Sequence, residues 1–171
     1  MVTASPNIDA RTDCMTAPTD FAELYERHYG TVYRAALRIT GNPADAEDVL
    51  QTVFLRFLSH GGSVNPLQPE AYFRRASANA AVDVLRRRVL HSESQLHDET
   101  RHAPTGGDVL LKERLRRAIA ALDQSDAVLF LLRYVEGLSN GELAAMFRLE
   151  KNSVAVRLFR IRQTLQAEME R

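Results

Sequence analysis

Three groups of side chains in this 171-residue chain have types and spacing that could do chemistry. The first is acidic: Asp45, Glu47 and Asp48 open a helical pattern. Paired carboxylates can act as acid and base, but no His, Ser or Lys is placed to complete such a site. A helix start also favours carboxylates simply because its positive end stabilises them, by about 0.3–1 kcal/mol each. The second group lies in the stretch AYFRRASANAAVDVLRRR, where Tyr72 and Phe73 stand beside Arg74, Arg75 and Arg86. Rings next to cations can hold unpaired bases and their backbone; equally, the rings can be core and the arginines solvated. The third is a C-terminal set, Arg157, Arg160 and Arg162, in a helical pattern whose other side is apolar. Such a helix can lie in a major groove, its arginines reaching phosphates or guanine edges.

These groups sit on elements that can be read from periodicity. Phe21, Leu24, Tyr25, His28, Val32, Tyr33, Ala36 and Leu37 recur at spacings of three and four, marking one buried helical face. Asp20 with Glu23 is placed to cap that helix, and Gly41 to end it. Asn42-Pro43 starts a second helix with the stripe Ala46, Val49, Leu50, Val53, Phe54, Phe57 and Leu58. The loop from Ser59 to Gln68 holds Gly61, Gly62 and Pro66, and a third helix is predicted from Pro69 to about Val89. Residues 91–108 read as a polar linker with Pro104 and Gly106-Gly107. Beyond it, Leu111, Leu115, Ala118, Ile119 and Leu122 predict one helix, and Val128, Leu129, Leu132 and Tyr134 another that Gly137 closes. A capping box, Ser139 with Glu142, opens a short helix, and a last one starts near Asn152. At about 100° per residue, Val154, Leu158, Ile161 and Leu165 share one side of it, to pack on Leu143 and Met146. Val156 and Phe159 face outward, where they could meet thymine methyls or another protein. With no strand signal, the fold class is all-α: two small helical domains on a flexible linker, with residues 1–19 as a disordered leader.

Formal charge cancels, with 22 basic against 22 acidic residues, so no global basic signal points to nucleic acid. The signs are segregated instead: residues 70–91 carry net +3, residues 148–162 net +4 and residues 92–109 net −3. Cys14 is the sole cysteine, which excludes an internal disulfide and a thiolate metal cluster. His91, His97 and His102, with Asp98 and Glu99, lack compact ligand spacing. No metal, cofactor or catalytic residue is therefore expected. Without a membrane-spanning run or secretory start, a reducing cytoplasm is the simplest compartment.

Three stretches in this order resemble the extracytoplasmic-function class of bacterial sigma factors, in the sigma-70 family. They are FAELYERHYGTVYRAALRITGNPADAEDVLQTVFLRFL, PEAYFRRASANAAVDVLRRR and AIAALDQSDAVLFLLRYVEGLSNGELAAMFRLEKNSVAVRLFRIRQTL. The resemblance implies a sigma-2-like domain over residues 20–90 and a sigma-4-like helix-turn-helix domain over 109–171, joined by residues 91–108. It implies that Asp45, Glu47, Asp48 and Gln51 dock on the clamp helices of the β′ subunit of core RNA polymerase, which also offers its β subunit. It assigns the loop from Ser59 to Gln68, with Arg74, Arg75, Asn79, Asp83 and Arg86, to the −10 promoter element, where a flipped base is captured. It assigns Ser153, Arg157 and Arg160 to reading the −35 element. The expected protein is a non-enzymatic specificity subunit, monomeric when free, for which the family brings an anti-sigma factor as a candidate partner.

The chain also departs from the family pattern. Phe147-Arg148-Leu149 stands where the recognition turn usually has Gly, and Ala155-Val156 where a Lys-Ser or Arg-Ser pair is common. Leu122-Asp123-Gln124 replaces a Leu-Pro approach, and Tyr72-Phe73 a Trp-Leu pair. Two other readings stay open on sequence: an autonomous helix-turn-helix regulator, and a sigma-like protein acting mainly by protein contact.

Overall fold

The computed structural model describes residues 17–60, 69–95 and 107–170, and its described elements are all helices. They are α1 (Ala17–Thr40), α2 (Pro43–Ser59), α3 (Pro69–Gln95), α4 (Gly107–Ala121), α5 (Gln124–Tyr134), α6 (Asn140–Phe147) and α7 (Lys151–Met169). Most of the loop before α3, Cys14, His97, His102, Asp98 and Glu99 lie outside the described residues.

Helix α1 ends because the Thr40 hydroxyl turns back to donate to the Ala36 carbonyl at 2.9 Å, and Gly41 follows at φ 66°, a left-handed position that glycine takes without strain. Asn42 then caps α2 by accepting from the amides of Ala44 (2.8 Å) and Asp45 (3.3 Å), with Pro43 in the first turn. The predicted cap at Asp20 is corrected: α1 starts at Ala17, so Asp20 lies inside the helix. Helix α3 likewise runs past the predicted Val89 to Gln95, taking the first residues of the expected linker into the helix.

Helices α1, α2 and α3 close on an aromatic core. Phe73 is fully buried, with Phe54 and Phe57 at ring-centre distances of 5.2 and 5.6 Å. His28 stacks on Phe73 at 4.8 Å, and its burial pushes its pKa below the ordinary 6.5, with Arg27 adding to the effect. Phe73 is thus committed to packing, whereas Tyr72 stays half-buried beside it at the surface.

In the second helical unit, Asp123 caps α5 through the Ser125 amide at 3.0 Å, so a carboxylate does at this corner what a proline-led turn does elsewhere. The capping box at α6 forms as its sequence predicts: the Ser139 amide donates to Glu142 at 2.7 Å and the Glu142 amide to the Ser139 hydroxyl at 3.2 Å. Those bonds hold the Glu142 carboxyl below its usual range. Arg148 makes the turn into α7 at φ 54°, ψ 48°, a left-handed conformation that a side chain disfavours. Val154, Leu158, Ile161 and Leu165 of α7 are buried together with Leu143 of α6. Leu111, expected in the α4 core, is instead half exposed with Val109 and Leu110, and Tyr134 and Leu58 are also at the surface.

The two units do not stand apart. Helix α3 packs on α4 and α5, and Arg38 of α1 forms a two-pronged ion pair with Glu136 at 2.9 and 2.7 Å. The Glu136 side chain is 1 % exposed, so this pair is shielded on its acidic side from solvent screening.

Candidate functional site

The outward ridge of α2 carries the acidic group. Glu47, Asp48 and Gln51 are exposed, and Leu55 (65 % exposed) and Leu58 (46 % exposed) continue the same ridge one and two turns on. Asp45 differs: it is half-buried and lies 2.6 Å from Arg88 of α3, an ion pair without an aligned hydrogen bond. The surface a partner would meet is therefore Glu47, Asp48 and Gln51 followed by two leucines. Leu55 escaped the sequence reading because it falls off the helical stripe, and only its position next to the acidic turn could have drawn notice.

A second site lies along α3. Tyr72, Arg75, Asn79 and Asp83 line a cavity of about 580 Å³, together with Arg56 and His60 of the α2 end and Gln124 of α5, which forms one wall. Arg56 reaches Asp83 at 3.3 Å, which places a cation and a carboxylate at one wall. Arg56 and His60 are the members that sequence periodicity did not single out. Such a cavity offers a ring for stacking, an amide for hydrogen bonding and guanidinium groups for phosphate. Arg74 does not join it: it pairs with Glu70 one turn back at 2.6 Å.

The α4–α5 corner sits against this face. Arg86 donates to the Ala120 carbonyl at 3.1 Å, the Leu122 carbonyl at 2.7 Å and the Gln124 side chain at 2.5 Å. It thereby serves as a cap supplied in trans, placing a cation at the negative end of α4. The Gln124 amide in turn donates to the Asn79 carbonyl at 3.2 Å, with longer contacts of 3.4 Å to the Asn79 and Asp83 side chains. Arg75 donates to the Met146 carbonyl at 3.0 Å and lies 4.6 Å over the Phe147 ring. Arg74, though paired with Glu70, also borders a groove with Leu138, Glu142 and Met146, so all five α3 positions assigned by resemblance lie along the other helical unit.

The third site is the outer face of α7. Ser153 and Arg160 are exposed there, but Arg157 is drawn aside into an ion pair with Asp126 of α5. Asn152, Ser153, Val156, Arg157 and Arg160 share a shallow depression with Asp126. Val156 and Phe159 are both about half exposed, with Arg162 lying 6.0 Å over the Phe159 ring.

Among the described residues no group of His, Cys, Asp and Glu is placed to hold a metal ion, and no helix is long and apolar enough to cross a membrane.

Comparison with known proteins matches the two units separately. Residues 24–90 match the family model described as Sigma-70 region 2, and residues 112–165 that described as Sigma-70, region 4. The chain is 29 % identical to the ECF RNA polymerase sigma factor SigE of Mycolicibacterium smegmatis in an alignment that covers 95 % of this chain and 66 % of that protein. It is 29 % identical over 144 residues to SigL of Mycobacterium tuberculosis, covering 79 % and 80 % of the two chains. Among solved structures, the sigma factor RpoE in complex with the anti-sigma factor NepR from Bartonella quintana superposes with a TM-score of 0.51 at 16 % identity, covering 89 % of this chain and 98 % of that one. CnrH in complex with the cytosolic domain of CnrY gives 0.52 at 22 % identity, covering 88 % and 87 %. These structural likenesses speak to the fold.

Proposed function

Because the chain belongs to the sigma-70 family, as an extracytoplasmic-function RNA polymerase sigma factor, we propose that it recruits core polymerase through α2 and reads a promoter through α3 and α7. The ridge of Glu47, Asp48, Gln51 and Leu55 docks on the clamp helices of β′, its leucines giving the contact an apolar centre. The cavity between Arg56, Tyr72, Asn79 and Asp83 takes a base flipped from the −10 element, stacking and hydrogen bonds offsetting the few kcal/mol of unstacking. Ser153 and Arg160 of α7 approach the −35 duplex, with Arg157 joining them when its pair with Asp126 opens. The protein carries out no catalysis of its own. An anti-sigma factor is a further partner for the same faces.

The observation that most supports this reading is the cavity, because it gathers an aromatic ring, two arginines and an amide at one surface. The packed arrangement adds a condition. While Gln124 lies against Asn79 and Asp83 it occupies hydrogen-bonding groups that a base would use, so a base binds there fully once polymerase parts the two units. Two weak grips held at a fixed spacing by a large partner then act through effective concentration. In vitro transcription with purified core polymerase on a genomic fragment library tests the proposal. Selective initiation dependent on this chain is expected; specific footprinting by the chain alone, unchanged by core, would overturn it.

A further inference from the structure

Helix α7 carries an apolar group where a reading helix is ordinarily polar. Its buried side is Val154, Leu158, Ile161 and Leu165, so the opposite ridge runs Asn152, Val156, Phe159 and Gln163. All four ridge residues are exposed, and Val156 is 51 % exposed at the centre of the N-terminal half that a groove would admit first. The flanking chemistry is cationic and polar: Lys151, Ser153, Arg160 and Arg162 are exposed around it. Of these, Arg160 stands next to Val156 around the helix, and a phosphate-walled groove favours such a cation beside the ridge.

Within a major groove the apolar feature among the base edges is the C5-methyl of thymine. A valine side chain neither donates nor accepts a hydrogen bond. Set against a guanine or cytosine edge, it would leave that edge desolvated and unpaired, and set against a methyl it replaces water with contact. Arg157 lies to one side of the ridge, where it pairs with Asp126.

We propose that Val156 is a specificity-determining residue that selects a thymine, by its methyl group, in the duplex element bound by α7. The inference rests on the reading of this helix as the upstream-element reader. Phe159 lies one turn further along the ridge, with the Arg162 guanidinium 6.0 Å from its ring centre.

The test uses holoenzyme, the full chain with core polymerase, on a promoter selected from a randomised upstream library. Each thymine of that element is replaced in turn by deoxyuridine, which removes only the methyl. At one position the wild-type holoenzyme is expected to lose about four-fold in promoter affinity, the value of one buried methyl group. Val156→Ser, which removes both methyl groups at an exposed position, is expected to abolish that sensitivity and leave the others in place. Val156→Ile, which keeps an apolar branched side chain, is expected to retain it. Uniform tolerance of deoxyuridine, or a Val156→Ser holoenzyme that still senses it, overturns the proposal. So does an equal loss for Val156→Ser on templates with and without the element, which would mark a protein contact. Selective initiation that persists without any dependence on Val156 overturns this inference alone; absence of selective initiation altogether overturns the underlying function as well.

Discussion

Arg86 of α3 and Gln124 at the start of α5 meet side chain to side chain at 2.5 Å, 38 residues apart in sequence. The same glutamine presents its amide to Asn79 and Asp83, so one carboxamide both accepts and donates on the face where a base is proposed to bind. A carboxamide carries the donor and acceptor pair that a base edge also carries.

Replacing Gln124 with Ala removes that competitor while leaving the α5 cap at Asp123 intact. The free chain is then expected to bind a single-stranded −10 oligonucleotide about three- to ten-fold more tightly, the worth of one or two net hydrogen bonds. Fluorescence anisotropy on the wild type and the variant reads this directly. Equal affinities would mean that the packed corner does not compete with the strand.

Leu55 projects from the α2 ridge beside Gln51. A Leu55→Asp change should weaken attachment to core polymerase by at least ten-fold, since burying one leucine is worth about 1.5–3 kcal/mol. The melting temperature should stay near that of the wild type, because the side chain makes no core contact. Titration of labelled chain with core polymerase, alongside thermal unfolding, separates the two effects.

Arg148 holds a left-handed backbone at the α6–α7 turn. Arg148→Gly is expected to stabilise the chain by about 1 kcal/mol, by relieving the strain that a Cβ imposes there. Chemical denaturation measures it, and a destabilised variant would show that the arginine side chain contributes more than its backbone costs.

Stability should fall on acidification through His28. Burial against Phe73 holds the folded-state pKa below the unfolded value of 6.5. Below that value the unfolded chain takes up the proton first, so stability is complete above pH 6.5 and declines as the pH falls towards the folded pKa. A His28→Gln variant should lack this component of the pH profile in urea unfolding between pH 7.5 and 5 (roughly the span over which a histidine titrates).

Much of the architecture was legible from residue order. Asn42-Pro43, Ser139 with Glu142, and Gly41 carry local reasons for where helices begin and end, and those reasons operate within four residues. The stripe of α2 and the buried side of α7 follow from a period of 3.6. The Asp20 cap failed because Ala17 to Thr19 continue the helix. Leu58, Leu111 and Tyr134 were placed inside by the same periodicity, yet Leu58 and Tyr134 lie at stripe edges, and Leu111 lies on the stripe but in the opening turns of α4, where Val109 and Leu110 are exposed as well.

What a linear reading establishes here is the helices, their caps and the faces they bury, along with a family pattern strong enough to name the partners expected of them. Each rests on interactions between residues a turn or less apart, or on apolar spacing that repeats. The fold alone settled that Arg38 meets Glu136, that Arg157 is held by Asp126, and that Arg86 and Gln124 close over Asn79. Those partners lie from 31 to 98 residues apart on polar faces, where hydrogen-bonding groups carry no periodicity and any of several arginines could have answered. Packing of α3 on α4 and α5 chose among them by distance.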